Sequence, residues 1–404
     1  MIPSLALARV NRGDLCSGCG ACAALAPDKI TMDVQAPGFL RPVQSSDLTG
    51  EEERGITTAC PGLGQTVIAD GRTDDPLWGP YISMEVGHAT DPDIRFAGSS
   101  GGALSMMLVH LVADGVVDAV IQTAASPELA IGNTTVITSD VAGITQATGS
   151  RYAPSAPLAD LPDYIATGQR FAFVGKPCDV AALRAMQVRD PDLRSQIPVL
   201  LSFFCAGVPS HAGGKAVLSA LDTDLAQTES FRFRGNGWPG QATATQQDGI
   251  EKSMSYHASW GGILSKHVQH RCKICADGTG TAADIVCADA WESDADGYPT
   301  FDEAPGISLI VARTQLGAQL IQAAKNMDRL ETAPFDPATL AAIQPGQRER
   351  RRALFARLIG RRIAGKPIPK YQGLHLRTAA RQNPALRNIK NLLGMLRRSL
   401  KGPR

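Results

Sequence analysis

Phe171-Ala172-Phe173-Val174-Gly175-Lys176-Pro177-Cys178-Asp179 decides how this chain is built. A short unbroken apolar run closed by Gly and Pro reads as a buried strand, with Lys176 to Cys178 as its exit and Asp179 to Met186 as the following helix. The alternation repeats outward. Pro198 to Phe204 is a second apolar strand, followed by Ala206-Gly207-Val208-Pro209 and a helix from Ser210. Upstream, Ala103 to Asp114 has helical periodicity and Val116 to Gln122 reads as a strand; downstream, Gly306 to Arg313 and Gln315 to Lys325 repeat strand and helix. Buried apolar strands interleaved with helices predict an α/β fold.

Ligands of open α/β sheets gather at the carboxyl ends of the strands, where Cys178 and Cys205 both fall. The compact pair Cys272-Lys273-Ile274-Cys275 could supply two more thiolates, completing one iron–sulfur set of Cys178, Cys205, Cys272 and Cys275. Cys287 is then left without a ligand role, although exchanging it for Cys178 satisfies the same count. Free buried cysteines are the plainer reading, because Cys packs as a small apolar residue.

A second thiol set is nearly contiguous. Asp14-Leu15-Cys16-Ser17-Gly18-Cys19-Gly20-Ala21-Cys22 carries a C-x-x-C-x-x-C run, and Cys60-Pro61 follows far downstream. Small residues between the cysteines let the sulfurs turn inward around one cube, with Cys60 as the fourth ligand. Two-cluster ferredoxins continue this run with another cysteine before proline; here Ala26 precedes Pro27, so one cluster is expected. Structural zinc is the alternative, though zinc sites usually show two separated C-x-x-C pairs.

Composition sets the remaining bounds. The chain has 404 residues, long enough for more than one domain. Met1 to Val10 lacks the charged start and long apolar stretch of a signal peptide, and Leu104 to Ile121 is broken by His110, Asp114 and Asp118, so no membrane span is expected. Nine cysteines without a secretory signal suggest thiolate ligands in a reducing, cytoplasmic setting. Asp74-Asp75-Pro76-Leu77-Trp78-Gly79-Pro80 reads as a linker.

Charge is unevenly placed. From Gln347 to Arg404 there are seventeen Lys or Arg and one acid, Glu349; removing these from 40 and 39 leaves 23 basic and 38 acidic residues upstream. Such a tail either folds back on its own acidic body or meets an acidic partner or anionic lipid as a peripheral contact. No stacking array or zinc-finger spacing supports nucleic acid.

The ordered series of both thiol sets, Ser99-Ser100-Gly101-Gly102, Gly149-Ser150-Arg151-Tyr152, Gly175 to Arg184, Phe204 to Ser210 and Arg234-Gly235-Asn236-Gly237-Trp238 resembles the coenzyme F420 hydrogenase/dehydrogenase beta-subunit family. That family includes deazaflavin-dependent hydrogenase and dehydrogenase subunits and chlorophyll-pathway reductases. The resemblance implies an iron–sulfur flavoprotein with FAD, and flavin or phosphate contacts at Ser99, Ser100, Gly101, Gly102, Ser150, Arg151 and Tyr152. Small residues at the helix start after Gly102 suit a phosphate on their own account, or an ordinary N-cap turn. The family segment matching Ala283 to Trp291 more often has a small residue and Gly where Cys287 and Ala288 stand. Coenzyme F420 is used by some members only.

The expected architecture is therefore a ferredoxin-like cluster segment (1–75), an α/β flavin-binding region (76–165), an α/β domain with the second cluster (166–335) and a basic helical tail (336–404). An external donor such as ferredoxin or a redox subunit would feed two 4Fe-4S clusters and FAD, which reduces a small organic substrate or a deazaflavin coenzyme. Lys176 and Arg151 would place positive charge near the flavin, or form surface ion pairs. His257, His267 and His270 are candidate proton donors, or solvated and structural. The competing classes are an electron-transfer subunit of a larger complex and a zinc-stabilised binding protein. No Walker loop and no complete G-x-G-x-x-G is present, so a direct nicotinamide site is not expected.

Overall fold

A computed structural model describes residues 1–291, 300 and 302–401. Its main sheet has eight strands: β1 (Ser83–Ala89), β2 (Ala119–Ala125), β3 (Asn133–Thr138), β4 (Phe171–Val174), β5 (Val199–Phe203), β6 (Ile285–Asp289), β7 (Ser308–Ala312) and β8 (Leu330–Pro334). Their spatial order is β8-β1-β7-β6-β5-β4-β2-β3. The central strands β6, β5, β4 and β2 run parallel, and the outer pairs are antiparallel. The expected α/β class is what the chain adopts.

Every residue of β4 is buried, because helices cover both faces of the sheet. Phe171 and Phe173 point to one side, where they meet Val180, Leu183 and Met186 of the helix Pro177–Gln187. Ala172 and Val174 point to the other and pack in one layer with Met107 and Leu111 of the helix Ala103–Ala113, here α1. The Pro177–Gln187 helix is α2. Burying side chains of this size contributes roughly 1.5–3 kcal/mol each, which is what fixes the strand order and hence the positions of the loops that leave it.

The amino-terminal segment joins the same core. Its helix Gly50–Ala59 starts at a capping box, with Thr49 Oγ1 accepting from Glu52 N at 3.2 Å and Glu52 accepting from Thr49 N at 2.6 Å. Ala21 and Ala59 pack with Leu161 and Val180. The expected linker at 74–80 is corrected: residues 73–75 pair with 79–81 as a tight hairpin. Asp75 Oδ1 accepts from Leu77 N and Trp78 N at 2.7 and 2.9 Å, and Trp78 is buried and stacked on Phe204 with ring centroids 6.3 Å apart. Pro and Gly there shape a turn over a buried indole instead of a tether.

The tail forms two long helices, α3 (Pro345–Ile363) and α4 (Ala385–Lys401). They cross closely at Gly360, where an added Cβ would sit 2.5 Å from Leu392 O. Lys370–Gln372 adds a strand beside Gly64–Thr66, tying the tail to the amino-terminal segment. The tail does fold back on the body, but through carbonyls more than carboxylates. Glu349 takes Arg348, Arg352 and Arg387, and among the described residues His375 with Asp74, at 2.7 Å, is the one ion pair from 347–401 to a body acid.

Candidate functional site

Cys16, Cys19, Cys22 and Cys60 line a single small cavity with Leu7, Val10, Leu25 and Ile56. The loop can wrap because Gly18 and Gly20 adopt φ of 80° and 86°; an added Cβ at Gly20 would lie 2.5 Å from Ala159 N. Gly18 N donates to Cys16 Sγ at 3.4 Å. Burial raises all four thiols, Cys19 to about 12, helped by the Asp179 carboxylate, and Cys60 to about 11, helped by Cys16. The donor set is thiol alone, in an apolar wall. Among the described residues, no three His, Cys, Asp or Glu side chains converge tightly enough for a single metal ion. Four thiols around a void fit a polynuclear cluster, whose ligands stand farther apart.

The other thiols are gathered by the sheet. Cys178 lies in the first turn of α2, just past β4, and Cys205 lies just past β5, while residues 270–274 form a 3-10 turn that brings Cys272 beside Gly207. Cys178 and Cys205 are electrostatic neighbours, as are Cys205, Cys272 and Cys275. Burial holds Cys205 up at about 12 and raises Cys178 and Cys272 as well. Cys178 also senses Cys19, so the two sets adjoin. Cys287 sits apart, in β6, packed with Leu201 and Ile310 in the apolar layer under α1.

Cations surround the second set. Lys176 is buried 2.8 Å from Asp179 and donates to Ser155 Oγ at 2.7 Å; it lies beside Cys178 and Cys205, and is not a surface residue. From α3, Gln347 Nε2 and Arg350 Nη1 each donate to Cys205 O at 2.9 Å, Arg350 Nη2 donates to Ala206 O at 2.5 Å, and Arg357 Nη1 to Lys273 O at 3.1 Å. Arg351 donates to Ala276 O, and Arg361 donates to His270 Nε2 and to Gly13 O. His270 is thereby an acceptor; burial and then Arg361 push its pKa well down, which disfavours a proton-donor role at neutral pH. The His267 side chain lies against Gly213, and His257 opens the wide turn His257–Ile263.

Two side chains staple one set to the other. Gln269 Nε2 donates to Ser17 O at 3.1 Å and to Cys272 Sγ at 3.6 Å, and Arg271 Nη2 donates to Pro61 O at 2.8 Å.

At the same carboxyl edge of the sheet, beyond β6, three turns meet over the end of the strand. Ser100 Oγ donates to Ile307 O at 2.8 Å, Gly101 N donates to Ser308 Oγ at 3.0 Å, and Ser99 Oγ, in the turn before α1, is buried with no hydrogen-bond partner among the described residues. Gly102, at φ 70°, caps that helix. Gly237 N donates to Phe96 O at 3.0 Å, and a Cβ on Gly149 would lie 2.9 Å from Arg234 O, so the 96–102, 148–152 and 234–238 turns come together. Asp289, the last residue of β6, accepts from Arg234 at 2.7 and 2.9 Å and from Trp238 Nε1 at 2.9 Å. Trp291 stacks on Trp238 at 4.9 Å and on Tyr256 at 5.9 Å, with Arg234 over Tyr256 at 4.6 Å. Burial opposes the charge of Arg234, and Asp289 overcomes that, keeping it cationic.

Residues expected at the flavin are thus divided. Ser99 to Gly102 lie in this meeting of turns, and half-buried Ser150 follows Gly149. Arg151 spends its three nitrogens on Asn133 Oδ1, Phe231 O and Gly132 O, and Tyr152 packs against Phe233 and Trp260. Lys176 belongs with the second thiol set. The aromatic stack and the Arg234–Asp289 pair were not anticipated as a site, although 234–238 was singled out as a motif.

Comparison with known proteins gives one direction. Residues 84–161 match the amino-terminal family model of the coenzyme F420 hydrogenase/dehydrogenase beta subunit, and residues 168–338 match the companion model for the carboxyl terminus of that polypeptide. No curated protein matches the chain. Among solved structures, a chain of the F420-reducing [NiFe] hydrogenase complex from Methanosarcina barkeri, in a xenon-derivatised form, superposes with a TM-score of 0.54 at 19% identity, covering 69% of this chain and 91% of that one. That likeness is one of fold.

Proposed function

The chain belongs to the coenzyme F420 hydrogenase/dehydrogenase beta-subunit family, and from that premise we propose that it is an iron–sulfur flavoprotein oxidoreductase. Cys16, Cys19, Cys22 and Cys60 would hold one 4Fe-4S cluster, and Cys178, Cys205, Cys272 and Cys275 the other. When bound, clusters carry single electrons and FAD carries pairs, which lets one-electron donors serve a two-electron reduction. The observation that carries this reading is the set of four thiols around one cavity, with no imidazole or carboxylate among its lining residues.

The chain's own residues support those groups in three ways. Lys176, Arg271 and Arg350 bring positive charge to the second thiol set, which favours deprotonated sulfur and offsets an anionic cluster. Gln269 and Arg271 fix the separation of the two sets. Where the turns meet, Ser99 to Gly102 and the amino end of α1 suit a phosphate, while the buried Trp238–Trp291 stack and the Arg234–Asp289 pair hold the neighbouring turn in place. Arg151 contributes by holding the turn that carries Ser150.

A donor such as ferredoxin or a redox subunit and a small organic substrate or coenzyme F420 complete the proposal. Anaerobic purification followed by metal, sulfide and flavin analysis tests it: about eight iron per chain are expected, with FAD. Zinc without iron or flavin sinks the redox reading. The structural relative is part of a complex, which favours a second reading as an electron-transfer subunit. Rapid reoxidation of the reduced protein by a small acceptor alone supports the enzyme; reoxidation only by a partner protein supports the subunit.

A further inference from the structure

α4 presents to solvent a face unlike that of α3. Its inner side is anchored by Met395, which is fully buried with Leu354 and Leu358 of α3. On the outer side Leu386, Ile389, Leu393 and Leu400 are exposed at 63%, 52%, 55% and 70%. Spacings of three, four and seven residues place them on one stripe of the helix. Lys390 and Arg397 are exposed beside that stripe, Arg387 is half engaged with Glu349 at 2.7 Å, and the helix contains no acidic residue. A helix packed on one side normally turns polar residues to water on the other. Here the outer side is aliphatic with a basic flank.

We propose that this face of α4 rests on an anionic lipid bilayer, with the helix axis in the plane of the surface. The leucines and Ile389 would enter the boundary between headgroups and acyl chains, while Lys390 and Arg397 meet lipid phosphates. Seventeen residues extend roughly 25 Å, and no helix among the described residues is long and apolar enough to cross a membrane. A bilayer suits a narrow convex stripe of aliphatic residues, since it deforms around the helix, whereas a protein would need a matching groove. Charge complementarity points the same way. The body carries 38 acids against 23 bases and the tail seventeen bases against one acid, so a negative surface attracts the tail and turns the body away. The inference stands apart from the redox reading and holds whether or not clusters bind.

Vesicle co-sedimentation of the full chain tests it. Binding to phosphatidylcholine vesicles containing phosphatidylglycerol is expected, with at least tenfold weaker binding to phosphatidylcholine alone. The pairs Ile389→Ser/Leu393→Ser and Lys390→Glu/Arg397→Glu should each weaken it at least tenfold with unchanged circular dichroism, because all four side chains are exposed. Failure to pellet with anionic vesicles overturns the proposal, as does pelleting that neither pair alters. Self-association abolished by Ile389→Ser/Leu393→Ser without vesicle binding would make the stripe an interface between copies instead, and also overturns it.

Discussion

The two thiol sets reach similar chemistry by opposite routes. Cys16, Cys19 and Cys22 come from one turn of chain and need only Cys60 to close, in a cavity whose lining is mostly apolar. Cys178, Cys205 and the 272–275 loop come from three stretches that meet because β4 and β5 are parallel neighbours, and α3 adds arginines that bond the loop carbonyls. A local set can be fixed by glycines. A dispersed one needs more outside bracing, and the described tail supplies most of its side-chain bonds there, against one, Arg361 to Gly13 O, beside the local set.

Breaking one ligand in each set gives the largest contrast. Cys22→Ser and Cys275→Ser should each lose roughly half of the iron, while the signal of the other cluster persists in electron paramagnetic resonance; loss of both from either change would end the distinction between the sets. Next comes Arg350→Ala, which strips two charged hydrogen bonds from the Cys205 loop and should cost about 2 kcal/mol in anaerobic denaturation. Arg41→Ala beside the first set should cost about 1 kcal/mol, because it loses one donor nitrogen shared between Leu40 O and Gln269 Oε1, at 3.0 and 3.1 Å, and a long, partly exposed ion pair to Asp14 at 3.6 Å. Equal costs would mean that bracing is not special to the dispersed set. Gln269→Ala should cost about 1 kcal/mol and perturb both clusters spectroscopically, since its amide touches both loops.

The smallest effect concerns acid. The Lys29 hydrogen bond and then Thr49 N hold Glu52 below the usual carboxylate range, so its contribution is present above the unfolded value and fades as pH falls through the lower folded one. Glu52→Gln should remove that slope from the acid limb of a stability profile, below about pH 4.3, without altering iron content.

Much of this was legible because its signals are local. Apolar runs at 171–174 and 199–203 announce buried strands, and their carboxyl ends already point to Cys178 and Cys205. The C-x-x-C-x-x-C run names its own cavity. The Arg234–Asp289 cluster was hidden for the opposite reason: the two residues lie 55 positions apart, and a lone Arg, Asp or Trp carries no periodicity. Arg151 looks available in a Gly-Ser-Arg-Tyr turn, because carbonyl partners such as Phe231 O leave no trace in the sequence. At 74–80, composition could not separate a tether from a turn folded over Trp78.

The position of β1 has a consequence for biosynthesis. It pairs with both β7 and β8, more than two hundred residues downstream, so the nascent sheet has an unzipped seam until residue 334 has emerged. The amino-terminal cysteines are all translated by residue 60, whereas the other set awaits Cys275 and, later still, the arginines of α3. If the proposed clusters are held, ribosome-bound chains should be able to complete the amino-terminal thiol set before the other, so a nascent chain stalled before residue 272 should carry at most half of the iron.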